Sequence, residues 1–227
     1  MCFYNILSNA LVWTWLKRFE KSDINGLIPR KPSGRLPMKP KYRKMPPPPK
    51  LKKTVYVLER DFSATAPKQK WLTDISEFKT KDVSKVYLSL TLDLFDNEIV
   101  SYNLSYSPNW AQIEDMLMQA VKGLNKACGV ILHSDQGWQY QMMAYRRILA
   151  EHGIIQSMSR KGNFLDNATM ESFFGRLKTE CFYGREFNSR EEIVDAVRGY
   201  LDYYNHRRIQ LKLKGLSPIQ YRKQSFK

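Results

Sequence analysis

Apolar and polar residues alternate with a period of two through three successive stretches in the middle of the chain. Trp71 to Lys79 reads as a first strand, and Lys85 to Phe95 places Val86, Leu88, Leu90, Leu92 and Leu94 on one face. Phe95-Asp96-Asn97-Glu98 is a turn, after which Ile99 to Leu104 returns, so a three-strand antiparallel start is predicted. The period then lengthens to that of a helix. Ser107-Pro108 opens a segment carrying Ile113, Met116, Leu117, Ala120 and Val121, which closes near Gly123. The uninterrupted apolar run Gly129 to Leu132 suits a strand covered on both faces. A helix over about 139–152, a short strand from Ile154 to Met158, the loop Ser159-Arg160-Lys161-Gly162-Asn163 and helices over about 167–182 and 190–206 follow. The last of these begins with a Ser189-to-Glu192 capping box. The order βββαβαβαα predicts an α/β fold, a mixed five-stranded sheet flanked by helices.

The N-terminal part has a different character. Leu11, Val12, Trp15, Leu16 and Phe19 fit one helix over about 9–21, which cannot fold alone. Residues 29–53 hold eight of the eleven prolines, interleaved with lysine and arginine, and read as an extended basic linker. The expected division is a short helical segment over 1–28, a linker over 29–58, a core over 59–223 and a tail over 224–227.

Charge sharpens this division. The 227 residues carry a net charge of +15, which points to a polyanionic partner. Residues 1–60 hold 14 basic and 3 acidic residues, so most of the excess sits on the arm and the body is only mildly basic. Cys2, Cys128 and Cys181 are far apart and outside any CxxC spacing, and with three histidines the soft ligands are too few for zinc chemistry. No apolar run approaches the roughly 20 residues needed to span a bilayer. The opening stretch has its charge after its apolar part, the wrong order for a secretory signal. A cytoplasmic protein with no membrane partner is expected.

Three carboxylates stand out by position. Asp74 lies mid-strand, where a charge is expensive to bury without a partner such as a metal ion. Asp135 follows an apolar strand through His133-Ser134, at the carboxyl end where open α/β sheets place ligand sites. If the two strands are neighbours, both carboxylates meet at one place. Glu171 lies near the start of a helix whose stripe is Met170, Phe173, Phe174, Leu177 and Cys181, with Asn167 and Lys178 on the same edge. Three hard oxygen ligands select Mg²⁺ or Mn²⁺ over zinc. Two such ions about 3.5–4 Å apart suit an in-line phosphoryl displacement, so phosphodiester cleavage or transfer is the implied reaction. Asp93 is a rival acid, read as a supporting or surface residue. His133 is read as packing or orienting the backbone beside it.

WLTDISEF at 71–78, HSDQGWQY at 133–140, SMSRKGNFLDNATMESFFGRLKTE at 157–180 and YNHRR at 204–208 closely resemble transposases of the bacterial insertion-sequence family numbered three. The likeness runs from about residue 59 to 223. It implies a retroviral-integrase-like core with the ribonuclease H-like fold, and the 35 residues between Asp135 and Glu171 match that family's spacing. By resemblance Asp74, Asp135 and Glu171 are catalytic metal ligands for two Mg²⁺ or Mn²⁺ ions. Lys178, Asn167, Arg160 and Lys161 are the expected DNA contacts, and the Gly162 loop is the mobile segment beside the site. The activity implied is cleavage and strand transfer of transposon-end and target DNA by a homo-oligomer assembled on it.

Residues 6–37 resemble the end of a helix-turn-helix segment that the family normally encodes upstream, with Trp15, Gly26, Leu27, Gly34 and Arg35 matching and Leu36 interrupting. A shortened or fused copy is the expectation. An idle remnant binding DNA without sequence preference, and a nuclease acting on RNA–DNA hybrids, are the rival readings.

Overall fold

A computed structural model describes residues 57–58, 61–122, 124, 129–160 and 164–225. The helix expected over 9–21, the proline-rich linker, Gly123, Lys161, Gly162 and Asn163 lie outside the described residues.

Five strands form one sheet in the order β3-β2-β1-β4-β5: β1 (Lys70–Lys79), β2 (Lys85–Asp93), β3 (Ile99–Ser105), β4 (Ile131–Ser134) and β5 (Ile155–Met158). The first three make an antiparallel meander, with Trp71 opposite Asp93 and Lys79 opposite Lys85 at the two ends of the β1–β2 ladder. β4 pairs with β1 in parallel, and β5 with β4 likewise, so the sheet is mixed as expected. Helices cover both faces: α1 (Trp110–Val121), α2 (Trp138–Gln141) and α3 (Met143–Glu151), and on the other side α4 (Ala168–Cys181) and α5 (Arg190–His206). A last helix, α6, spans Pro218–Ser225.

Pleating sends alternate residues of β1 into different cores. Leu72 and Phe78 join Leu88, Leu90 and the α4–α5 residues Phe173, Leu177, Val197 and Tyr204. Trp71 joins Leu132 and the α1–α3 residues Ile113, Met116, Leu117, Tyr140, Tyr145 and Ile148. The polar face of β2 is buried too. Ser89, Thr91 and Asp93 lie under cover, and α1 contributes Gln112, whose amide donates to the Tyr87 carbonyl at 2.9 Å.

Three expectations shift. β4 begins two residues later than the apolar run: Gly129 takes a left-handed φ of 67° and its N–H bonds to the Gly153 carbonyl, outside the ladder. The helix expected over 139–152 breaks at Met142, which is extended (ψ 142°). The Gln156 amide occupies the Tyr140 carbonyl at 2.7 Å, the acceptor that a continuing helix would use. The capping box of α5 is half closed. Ser189 accepts from the Glu192 N–H, whereas the Glu192 carboxylate reaches the N–H of Asn188, one residue early.

α5 is docked by its C-terminal end. Asn205 pairs both amide atoms with the backbone of Ile99, Tyr204 meets Phe173 edge-on at 5.1 Å, and Arg208 grips Glu180 through two nitrogens. No helix among the described residues is long and apolar enough to cross a membrane.

Candidate active site

The β1–β4 register sets where the first two carboxylates stand. Leu72 pairs with His133 in the parallel ladder. Two residues further along each chain, on the same side of the pleat, come Asp74 and Asp135, at the end where β4 stops at Ser134. Burial pushes the Asp74 carboxyl up to about 6, against the pull of hydrogen bonds from the Ile75 N–H and the Asn167 amide, and the charges of Asp135 and Glu171 add to the rise. The Asp135 carboxylate accepts from the Gly137 N–H at 2.8 Å, which fixes its orientation.

The third carboxylate comes from α4, whose buried stripe of Met170, Phe173, Phe174, Leu177 and Cys181 fixes the helix's rotation. Glu171 is left exposed in the first turn. Asn167, one turn earlier, donates its amide to Asp74 at 2.8 Å, and so ties the start of α4 to β1. Its Oδ1 is buried without a partner. An orphaned amide oxygen beside the Asp74 carboxylate is an oxygen-only pair of the kind that suits a hard divalent cation. Among the described residues no group of three or more His, Cys, Asp and Glu side chains stands where it could hold a metal ion. Lys178 shares the Glu171 edge, with its ammonium 5.3 Å over the ring of Phe78; burial lowers its pKa.

The sequence reading missed what holds the start of α4. Asp166 is wholly buried, and Arg160 grips it with Nε and Nη2, each at 3.1 Å, while the Arg160 backbone N–H adds a third bond. This clasp joins the end of β5 to the residue before Asn167. His133, wholly buried, completes the brace. Val57 and Leu58 donate their N–H groups to Ser157 Oγ, so that hydroxyl has its own proton to give to His133 Nδ1 at 2.9 Å. Nε2 then carries the ring proton and donates to the Asp166 carbonyl at 3.0 Å. Burial lowers the His133 pKa, in keeping with a neutral ring that orients backbone. The clue in the sequence was an acid immediately before Asn167 with an arginine six residues upstream.

Gly137 was overlooked as well. A Cβ there would lie 2.4 Å from Gln139 Nε2 and 2.9 Å from Asp135 Oδ1, and the Gln139 side chain is itself buried. Gly137→Ala is expected to cost about 1–3 kcal/mol, the usual penalty of overpacking. Gly199→Ala in α5 meets nothing within 4 Å. It is expected to gain up to about 1 kcal/mol from helix propensity. Urea unfolding of both variants checks the contrast, and equal effects would show that the Asp135 loop yields easily.

Two family models, each described as an integrase core domain, match residues 64–164 and 171–226. An uncharacterized transposase-like protein of Haemophilus influenzae is 60% identical over 169 residues, covering 74% of this chain and 77% of that protein. A putative transposase for insertion sequence element IS150 of Escherichia coli is 58% identical over 170 residues, covering 75% of this chain and 60% of that protein. The catalytic core domain of the HTLV-2 integrase, solved in complex with magnesium, superposes with a TM-score of 0.51 at 16% identity over 70% of this chain and 99% of that one. A chain of the simian T-cell lymphotropic virus intasome gives 0.58 at 17% identity, over 70% of this chain and 55% of that one. The fold is that of the retroviral integrase catalytic cores, the ribonuclease H-like arrangement that the motifs imply. The chain belongs to the insertion-sequence transposases that carry an integrase core.

Proposed function

We propose that this chain cuts and joins DNA strands in the cytoplasm during movement of an insertion sequence, with Asp74, Asp135 and Glu171 as the ligands of Mg²⁺ or Mn²⁺. The observation that carries this reading is the parallel β1–β4 register, in which Asp74 and Asp135 each follow the Leu72–His133 pair by two residues, together with the bond from Asn167, at the start of α4, to Asp74. The name of the Escherichia coli relative and the magnesium in the HTLV-2 core support it.

When bound, two such ions supply activation of an attacking oxygen and stabilisation of the leaving one. The chain's own residues prepare the place. Asn167 orients the Asp74 carboxylate through its amide, Gly137 orients Asp135, and the Arg160–Asp166–His133 brace sets where α4, and with it Glu171, begins. Lys178 offers a positive charge to a phosphate along the same helix edge. Asn167, Arg160 and Lys161 complete the DNA contacts. A homo-oligomer on DNA, holding transposon ends and target together, is the working assembly.

The test is nicking of a duplex that ends in the element's terminal repeat, with Mn²⁺ titrated in. Wild-type chain is expected to produce metal-dependent nicks, and Glu171→Gln to lose them while still binding the duplex. Salt-sensitive binding with no nicking under any metal condition would leave the idle DNA-binding remnant as the answer. Preferential cutting of an RNA–DNA hybrid would favour the nuclease reading.

A further inference from the structure

Beyond α5 the chain makes a tight turn whose backbone is well bonded and two of whose aliphatic side chains are bare. The Gln210 N–H bonds to the Leu216 carbonyl, and the Leu213 and Gly215 N–H groups both return to the Gln210 carbonyl. Lys214 and Gly215 take left-handed φ of 57° and 78° to close it. Leu213 and Ser217 are buried beneath, and the Asn97 amide donates to the Gln210 side chain from the β2–β3 turn. Ile209 and Leu211 nevertheless face solvent, 68% and 98% exposed, on either side of Gln210. Two aliphatic side chains held out on a braced turn forgo the burial that apolar surface favours.

Charge separates the possible occupants. Residues 203–227 contain seven lysines and arginines and no acid. Arg208 is taken by Glu180, and Arg222 by Asp93, Asp96 and Glu98. Lys212 and Lys214, beside Leu211, have no ion-pair partner among the described residues. The same turn of a second copy would bring like charge to this one, since residues 203–227 hold cations and no acid. Two side chains are also far too few for a stable protein interface, which buries about 1,200–2,000 Å². Duplex DNA satisfies both features, because phosphates pair with lysines while one or two aliphatic side chains suffice to part a base step from the minor groove.

We infer that the Ile209–Leu211 turn is a minor-groove wedge: Leu211, seconded by Ile209, enters between stacked base pairs, and Lys212 and Lys214 hold the flanking phosphates. The wedge rests on the DNA-directed reading above but not on the carboxylates, and it kinks the duplex that the chain holds.

The test uses the full chain in metal-free buffer with an A·T-rich duplex of about 30 base pairs carrying a donor dye at one end and an acceptor at the other. Wild type is expected to raise the energy transfer by bending the duplex. Leu211→Ser alters a fully exposed side chain and so leaves the fold intact. It is expected to remove most of that rise while weakening binding by about tenfold or less. Replacing Lys212 and Lys214 together by glutamine is expected to reduce the slope of log affinity against log salt by about two. Bending unchanged in Leu211→Ser overturns the wedge. So does a Leu211→Ser chain that bends DNA normally but sediments as a smaller species than wild type, which would make the turn a protein contact. Wild type that nicks without bending defeats the wedge alone, wild type that bends without ever nicking defeats the proposed function alone, and absence of DNA binding defeats both.

Discussion

Asp74→Asn is expected to abolish strand cleavage and, in the same preparation, to make the metal-free protein more stable than wild type at neutral pH. The carboxyl is pushed up to about 6 from an ordinary 3.8, first by burial and then by the charges of Asp135 and Glu171. An acid whose folded pKa exceeds its unfolded one favours the folded state only while it can stay protonated. Below about pH 4 Asp74 is neutral in both states and costs nothing. Between about 4 and 6 the folded chain holds a proton that the unfolded chain has released, so stability falls as pH rises. Above about 6 the whole penalty is present, at most about 3 kcal/mol for a shift of this size and less to the extent that water reaches the carboxyl. Asparagine keeps the shape and carries no charge; its one oxygen accepts from the Ile75 N–H, and its amide donates to the Asn167 oxygen once that side chain turns over. Urea unfolding of both proteins across that interval should show the variant's advantage opening between about pH 4 and pH 6 and levelling off above. Added Mg²⁺ should then close the gap by stabilising wild type only. A variant less stable than wild type at neutral pH without metal would mean that Asp74 is a satisfied structural acid, and the metal reading would lose its anchor.

Much of this site was legible because it depends on periodicity and on strand ends. The alternation in β1 and β2 and the apolar stripe of α4 fix which side chains face inward, and they placed Asp74, Asp135 and Glu171 on the right elements. The expectation for Asp74 and Asp135 hung on one topological condition, that β1 and β4 be neighbours, and the ladder pairs those strands. Features resting on single side chains reaching across the sequence were not legible. The break at Met142 depends on Gln156 taking the carbonyl of Tyr140, and nothing in the pattern over 139–152 marks it. The Arg160–Asp166 clasp lies in a stretch whose polarity reads as loop, where a buried carboxylate leaves no periodic trace. Asp93 is the clearest case. On the polar side of β2 it could be a surface acid, a supporting residue or a rival ligand. It is in fact wholly buried, and it accepts from the Lys68 and Phe95 N–H groups and the Trp71 indole.

The partner that makes that burial tolerable sits at the far end of the chain, and its removal should be the most damaging substitution for stability. Arg222 in α6 donates to Asp93 at 3.0 Å and to Asp96 at 2.9 Å through Nη2, to Asp96 again through Nε, and meets Glu98 through Nη1. Asp93 and Asp96 are wholly buried, and burial holds the carboxyls of Asp96 and Glu98 above their ordinary range in spite of the guanidinium. Besides Arg222, α6 is held by Pro218, its one buried residue, and by Tyr221, whose ring meets that of Phe95 at 5.7 Å. Its seat is therefore the acidic β2–β3 turn, more than a hundred residues away in sequence, which is why no apolar stripe announced the helix. Arg222→Met should cost about 3–5 kcal/mol, because it leaves three clustered carboxylates without their counter-charge. Arg222→Lys should recover only part, since one ammonium cannot reproduce the guanidinium fork across three acids. The loss carries its own pH signature. Without Arg222 the carboxyls of Asp96 and Glu98 rise further, so protonation relieves the repulsion and the deficit should shrink as pH falls from about 7 to about 5. A deficit below about 1 kcal/mol, or one that does not change with pH, would mean that the cluster is solvated well enough to stand without the arginine.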